Sequence, residues 1–155
     1  MEQASHAILL KDIKNTAKVC KRMLKKGILN PQLNFALSKL GHMDSVMVCD
    51  SGMPVPSNVD RVDLEFVAGM PEIMPVLQNL IQTIAIEKVY VAEEIKTASP
   101  ELNEKYIKLF QGIAEIIYIK HDDLKKESEE AQLAIKTGEF CYHYSTVLLI
   151  AGCAY

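Results

Sequence analysis

Residues 40–56 read LGHMDSVMVCDSGMPVP, and the middle of this stretch decides the fold. SVMVC (45–49) is short and nearly all apolar, the pattern of a strand buried on both faces of a sheet rather than one wetted on alternate positions. Gly41 ahead of it reads as a helix stop. Asp50-Ser51-Gly52 behind it, with Pro54 and Pro56, is turn and loop chemistry. The stretch thus predicts a helix end, a doubly buried strand and a loop, with a histidine at one end of the strand and an aspartate at the other.

Working outward, Asn30-Pro31 reads as an N-cap and first helical position, and Leu33, Ala36, Leu37 and Leu40 give a helical stripe. On the other side, residues 59–67 alternate, with Val62, Leu64 and Phe66 on one face of a second strand. Met70-Pro71 opens a helix to about residue 84, with Pro75 early enough to cost little. KVYVA (88–92) is a strand, Ser99-Pro100 caps a helix to about Phe110, and EIIYI (115–119) is a strand. Residues 122–136 are predicted helical, with Asp122 and Asp123 favourable at the positive end of the dipole and Gly138 as the stop. TVLLIAG (146–152) is the final strand. Strands alternating with helices give a single α/β domain: a three-layer α/β/α arrangement around a largely parallel sheet. Ligands of such sheets bind at loops beyond strand ends, which directs attention to residues 50–58, 93–99, 120–121 and 140–145.

The 155 residues are enough for one domain with a real core. With 49% hydrophobic and 24% charged residues, the profile is that of an ordinary globular chain. Net charge is −3 and the pI is near 5.8. Without a basic stripe interleaved with aromatics, nucleic acid is not the expected partner. No apolar run approaches the ~20 residues that span a bilayer; no membrane partner is expected, with a membrane-surface or targeting role of the N-terminal segment as the lesser option. Charge is nonetheless uneven. Seven lysines and arginines against Glu2 and Asp12 give the first 26 residues +5, leaving −8 for the rest. Ile8, Leu9, Ile13, Ala17, Cys20 and Leu24 recur there at helical spacing, so residues 1–24 read as an amphipathic helical extension of a 25–155 domain. The AILL run is too short for a secretory signal. Cys20, Cys49, Cys141 and Cys153 form neither a CxxC pair nor a Cys/His ligand set, and point to a reducing, cytoplasmic compartment.

No P-loop, GxGxxG or GxSxG occurs. His6 is expected in solvent and His143 on the surface. His42 follows the helix stop, where it suits either the helix dipole or proton transfer. His121 precedes Asp122-Asp123 and suits either an N-cap or a site. Asp50 suits either an Asx-turn or a ligand carboxylate. Tyr144 has a ring to pack and a hydroxyl to wet. His42, Asp50 and His121 lack metal-ligand spacing.

KKGILN (25–30), LGHMDSVMVCDSGMPVP (40–56), RVDL (61–64), EEIK (93–96), KHDDLKK (120–126) and TGEFCYHYSTVLLIAG (137–152) together resemble the D-ribose pyranase family of sugar mutarotases. The resemblance covers residues 25–155, and GHxD…CDxGxPxP is its specific signature. The related fucose mutarotases lack the GxPxP continuation. The resemblance implies that His42 is the proton donor and that Asp50, His121, Tyr144, Ser145 and Thr146 bind the sugar. Thr146 stands where the family usually has asparagine. It keeps a donor and an acceptor but loses the planar amide, so a different sugar is the first alternative, and a non-catalytic sugar-binding assembly protein the second.

The implied reaction interconverts the pyranose and furanose forms of D-ribose through the open-chain aldehyde. It needs one proton removed from the anomeric hydroxyl and one delivered to the ring oxygen, which imidazole can supply near neutral pH. There is no redox step and no leaving phosphate, so the resemblance implies neither metal nor cofactor. It also implies a homo-oligomer, pentameric rings stacked as a homodecamer. His42 and Asp50 are eight residues apart, roughly 26 Å if extended at ~3.3 Å per residue. Either GHMD curls back sharply, or His42 of one subunit meets Asp50 of another.

Overall fold

In the computed structural model, residue 24 and residues 26–155 are described. The amphipathic extension predicted for residues 1–24 lies outside them, apart from Leu24. Six strands, β1 (Ser45–Cys49), β2 (Asp60–Asp63), β3 (Ile86–Ala92), β4 (Glu115–Ile119), β5 (Leu133–Lys136) and β6 (Val147–Ala151), form one sheet in the order β2-β5-β1-β6-β3-β4. The pairings β2–β5, β5–β1 and β3–β4 are parallel. β6 runs antiparallel to both of its neighbours, β1 and β3.

SVMVC forms β1 as expected, and its pleat feeds two cores. Val46 and Val48 join a large cluster with Leu77, Leu80, Leu102, Tyr106 and Phe110 on one face. Met47 and Cys49 join a smaller cluster with Ala134, Leu148 and Leu124 on the other. Helices α1 (Pro31–Leu37), α2 (Ile73–Thr83) and α4 (Pro100–Phe110) cover the first face, and α5 (His121–Ser128) covers the second. The three layers are therefore unequal.

The Asn30 side chain caps α1, accepting from Leu33 N at 2.9 Å. α1 ends at Leu37, so Gly41 falls in the turn beyond rather than at the helix end. The strand predicted over 59–67 shortens to β2 at the sheet edge, with Val62 buried and Phe66 80% exposed. The 93–99 loop contains one further short helix, α3 (Ile95–Ala98). Ser99 stands at the start of α4 but does not cap it. Its hydroxyl donates to the His143 carbonyl instead, at 2.8 Å.

The helix predicted over 122–136 is the main correction. α5 stops at Ser128, and Leu133–Lys136 becomes β5, inserted between β2 and β1. Leu133, Ala134 and Ile135 are all buried, because that slot is covered on both faces. Local preference of Leu, Ala and Lys for helix gives way to the sheet position. Gly138, read as a helix stop, instead lets two backbones meet. A Cβ there would lie 2.6 Å from Met70 C and 2.7 Å from Met70 N.

Candidate active site

The loops after β1 and β4 and before β6 enclose a cavity of about 440 Å³, lined in part by Asp50, His121, Lys125, Glu139, His143 and Tyr144. Because β6 is antiparallel to β1, its leading residues arrive beside the trailing end of β1. Ser145 Oγ and Thr146 Oγ1 both donate to Asp50 Oδ2, at 3.2 and 3.3 Å. Gly52 N donates to Asp50 Oδ1 at 2.9 Å. The aspartate therefore closes an Asx-turn and also lines the cavity. Ser145 and Thr146 are buried. The Ser145 carbonyl accepts from the Tyr106 hydroxyl at 2.6 Å, which fixes the strand entry from beneath. Burial, and then the Glu139 and Asp50 carboxylates, push the Tyr106 phenol well above its usual range, so it stays a donor.

His121 is the first residue of α5, not its N-cap. Both carboxylate oxygens of Glu94 accept its backbone N–H, at 3.0 and 3.1 Å, giving this helix start a cap from a distant element. Its ring stands edge-on to Tyr144, with centroids 4.9 Å apart. Nδ1 is buried and has no partner among the described residues, which leaves Nε2 as the polar atom the ring can offer the cavity. Burial, then the Lys125 charge, lower its pKa below the ordinary histidine value, so the ring is held neutral. Tyr144 itself has φ +59°, a left-handed conformation uncommon for a non-glycine residue outside functional loops.

Three lining or supporting residues escaped the sequence reading. Lys125 lies four residues after His121 on one helix face, a spacing that was legible. His143, expected on the surface, is indeed exposed but lines the cavity rim. Glu139 is buried, and its carboxylate accepts from Cys141 N, Phe140 N and, at the start of α2, Ile73 N, at 3.0 to 3.3 Å. Nothing local in the sequence marks that role.

His42 is not in this cavity. Gly41–Asp44 does form a turn, closed by Gly41 N donating to Asp44 Oδ2 at 2.7 Å, with Met43 at φ +73°. Met43 N donates to Ala151 O at 2.9 Å, which ties the turn to the trailing end of β6. Asp50 lies at the leading end of β6, so the five residues Val147–Ala151 separate the two, about 16 Å at strand rise. The turn does not curl His42 back to Asp50. His42 lines a second cleft of about 400 Å³ with Leu40, Ile84, Gly152 and Tyr155. No group of three or more metal-ligating side chains gathers among the described residues.

A family model described as the RbsD / FucU transport protein family matches residues 23–154. A curated D-ribose pyranase of Pseudothermotoga lettingae is 38% identical over 133 residues, covering 86% of this chain and 94% of the relative. The solved structure of Bacillus subtilis RbsD complexed with D-ribose superposes with a TM-score of 0.81 at 37% identity, covering 86% of this chain and all of that one. A fucose mutarotase of Streptococcus pneumoniae, solved with L-fucose, shares the fold with a TM-score of 0.71 at 20% identity, covering 87% of this chain and 99% of that one.

Proposed function

The chain belongs to the RbsD / FucU transport protein family, and on that premise we propose that it is a D-ribose pyranase, a mutarotase that opens and recloses the sugar ring. One observation carries the reading: Asp50, His121 and Tyr144 converge on a single cavity, with Ser145 and Thr146 holding the Asp50 carboxylate. In this reading Asp50 accepts from sugar hydroxyls, neutral His121 and Tyr144 make directional contacts, and the Ser145–Thr146 segment sets the depth of the pocket. His42 is the general acid, and it reaches the cavity from a neighbouring subunit. The separation of the two ends of β6 supports a shared site, since one ribose cannot bridge it.

The proposal extends to a cytoplasmic homodecamer of two stacked pentameric rings, working without metal or cofactor, with residues 1–24 as an extension outside the catalytic domain. Among the described residues, no helix is long and apolar enough to cross a membrane.

Exchange-NMR on D-ribose measures the pyranose–furanose interconversion directly. Acceleration by the wild type, abolished in His42→Ala and in Asp50→Ala, is the expected result. Mixing the two inactive variants in one oligomer regenerates intact sites if they are shared, and activity returns. Acceleration of L-fucose and not ribose would transfer the reading to the other branch of the family. No acceleration of any sugar would reduce it to a binding protein.

A further inference from the structure

Glu87 meets His42 at the end of the sheet away from the Asp50 cavity, with Glu87 Oε2 3.2 Å from His42 Nε2. Several features of the backbone converge on this contact. In the pairing of β3 with β6, Ile86 lies opposite Ala151 and Lys88 opposite Ile150, so Glu87 is an extra residue in a bulge. Bulges re-aim side chains and recur beside active sites. Gly152 passes next to it, and a Cβ there would lie 3.4 Å from Glu87 Cβ and N. From the other side, the left-handed Met43, hydrogen-bonded to Ala151, fixes the direction in which His42 leaves its turn.

We propose that Glu87 is a positioning residue for His42: its carboxylate accepts the Nε2 proton and leaves Nδ1 as the nitrogen that exchanges a proton with the sugar. This rests on the reading of His42 as the general acid. Opening starts from the imidazolium form, in which Nδ1 has taken up a proton from solvent: the bond from C1 to the ring oxygen breaks, its electron pair stays on that oxygen, and the oxygen takes the Nδ1 proton, which leaves the neutral ring protonated on Nε2. The anomeric hydroxyl gives its proton to solvent and becomes the aldehyde carbonyl. On reclosure a ring-forming hydroxyl adds to C1, its proton returns to Nδ1, and the carbonyl oxygen takes a proton from solvent. No proton is gained or lost over the cycle. Throughout, the bond to Glu87 keeps one tautomer and one ring orientation, the service a carboxylate gives a catalytic histidine elsewhere.

The test compares wild type, Glu87→Ala, Glu87→Gln and His42→Ala as assembled oligomers, by ribose exchange-NMR and by ¹⁵N correlation spectra of the His42 imidazole. Glu87→Ala is expected to lower the exchange rate at saturating ribose about tenfold or more with half-saturation unchanged. It should also replace the single Nε2-protonated signature by a tautomer mixture. Glu87→Gln, whose amide oxygen accepts the same bond, restores both. A Glu87→Ala protein with the wild-type rate overturns the inference. So does a reduced rate with the wild-type imidazole signature, which is what a merely structural role would give. A fully active His42→Ala instead removes the reading beneath it.

Discussion

Replacing Gly138 by alanine separates what the structure says of this residue from what the sequence suggested. The new Cβ would sit 2.6 and 2.7 Å from two backbone atoms of Met70, where ordinary contact begins near 3.4 Å. Backbone cannot swing aside as a side-chain tip does. Relieving the clash also stretches two bonds of this crossing, Gly69 N to Gly138 O at 2.6 Å and Gly138 N to Pro71 O at 2.8 Å. Overpacking costs about 1–3 kcal/mol, and weakening two backbone hydrogen bonds adds roughly 0.5–1 kcal/mol. A total of about 1.5–4 kcal/mol lowers Tm by on the order of 10 °C for a domain of this size. The neighbouring Glu139 carboxylate, which holds the loop at the cavity wall, moves with it, so half-saturation by ribose also rises. Thermal melts at matched protein concentration, together with a ribose titration, check both. A helix-stop glycine would cost at most about 1 kcal/mol. A Tm drop under about 3 °C with unchanged ribose binding would therefore refute the steric account.

Ser145→Ala and Thr146→Val each remove one donor from the Asp50 carboxylate. A bond to a charged group is worth about 1.5–3 kcal/mol, so calorimetry is expected to show ribose binding weakened about tenfold or more in each. For His121 the folded value lies below the unfolded one. Its contribution to stability is therefore intact above the ordinary histidine pKa, about 6.5, and is lost as pH falls through that value toward the lowered one. Melts at pH 7.5 and 5 should show a steeper acid loss for wild type than for His121→Asn, and equal slopes would remove this cause. Burial, then the Asp50 charge, push the Cys49 thiol up to about 12, whereas Cys141 and Cys153 are exposed. Mass mapping after brief treatment with a thiol reagent under native conditions should find Cys141 and Cys153 modified and Cys49 untouched.

What the sequence made legible was local chemistry. SVMVC was readable to the residue because a strand covered on both faces leaves no other apolar period to choose, and EIIYI, a half-buried edge strand, because a run of β-branched and aromatic residues favours the extended state. The caps at Asn30-Pro31 and the early Pro75 were readable because their partners lie within one helical turn. LAIK (133–136) was not, because its strand identity comes from β1 and β2 on either side of it and from nothing in its own four residues. The same holds for support given across the fold. Glu139 holds the start of α2, Glu94 holds the start of α5, and Tyr106 holds Ser145, at sequence separations of 66, 27 and 39. The candidate sugar contacts at Asp50, His121 and Tyr144 came from the family resemblance, since composition and spacing alone left each with a structural alternative.

The antiparallel course of β6 then accounts for how the two ends of LGHMDSVMVCDSGMPVP are used. Had β6 run parallel to β1, its leading segment 144–146 would have arrived at the His42 end, and Asp50 would have lost both of its hydroxyl donors. Running antiparallel, it delivers Ser145 and Thr146 to Asp50 and leaves Ala151 to anchor the turn that carries His42. One strand therefore equips both ends of β1 with different partners: hydroxyl donors for the carboxylate, and, through the bulge it forms with β3, a carboxylate for the imidazole. The sheet completes neither end as a whole site. In the proposed shared site, a second copy of the chain would present its own His42–Glu87 pair to the Asp50 cavity of the first.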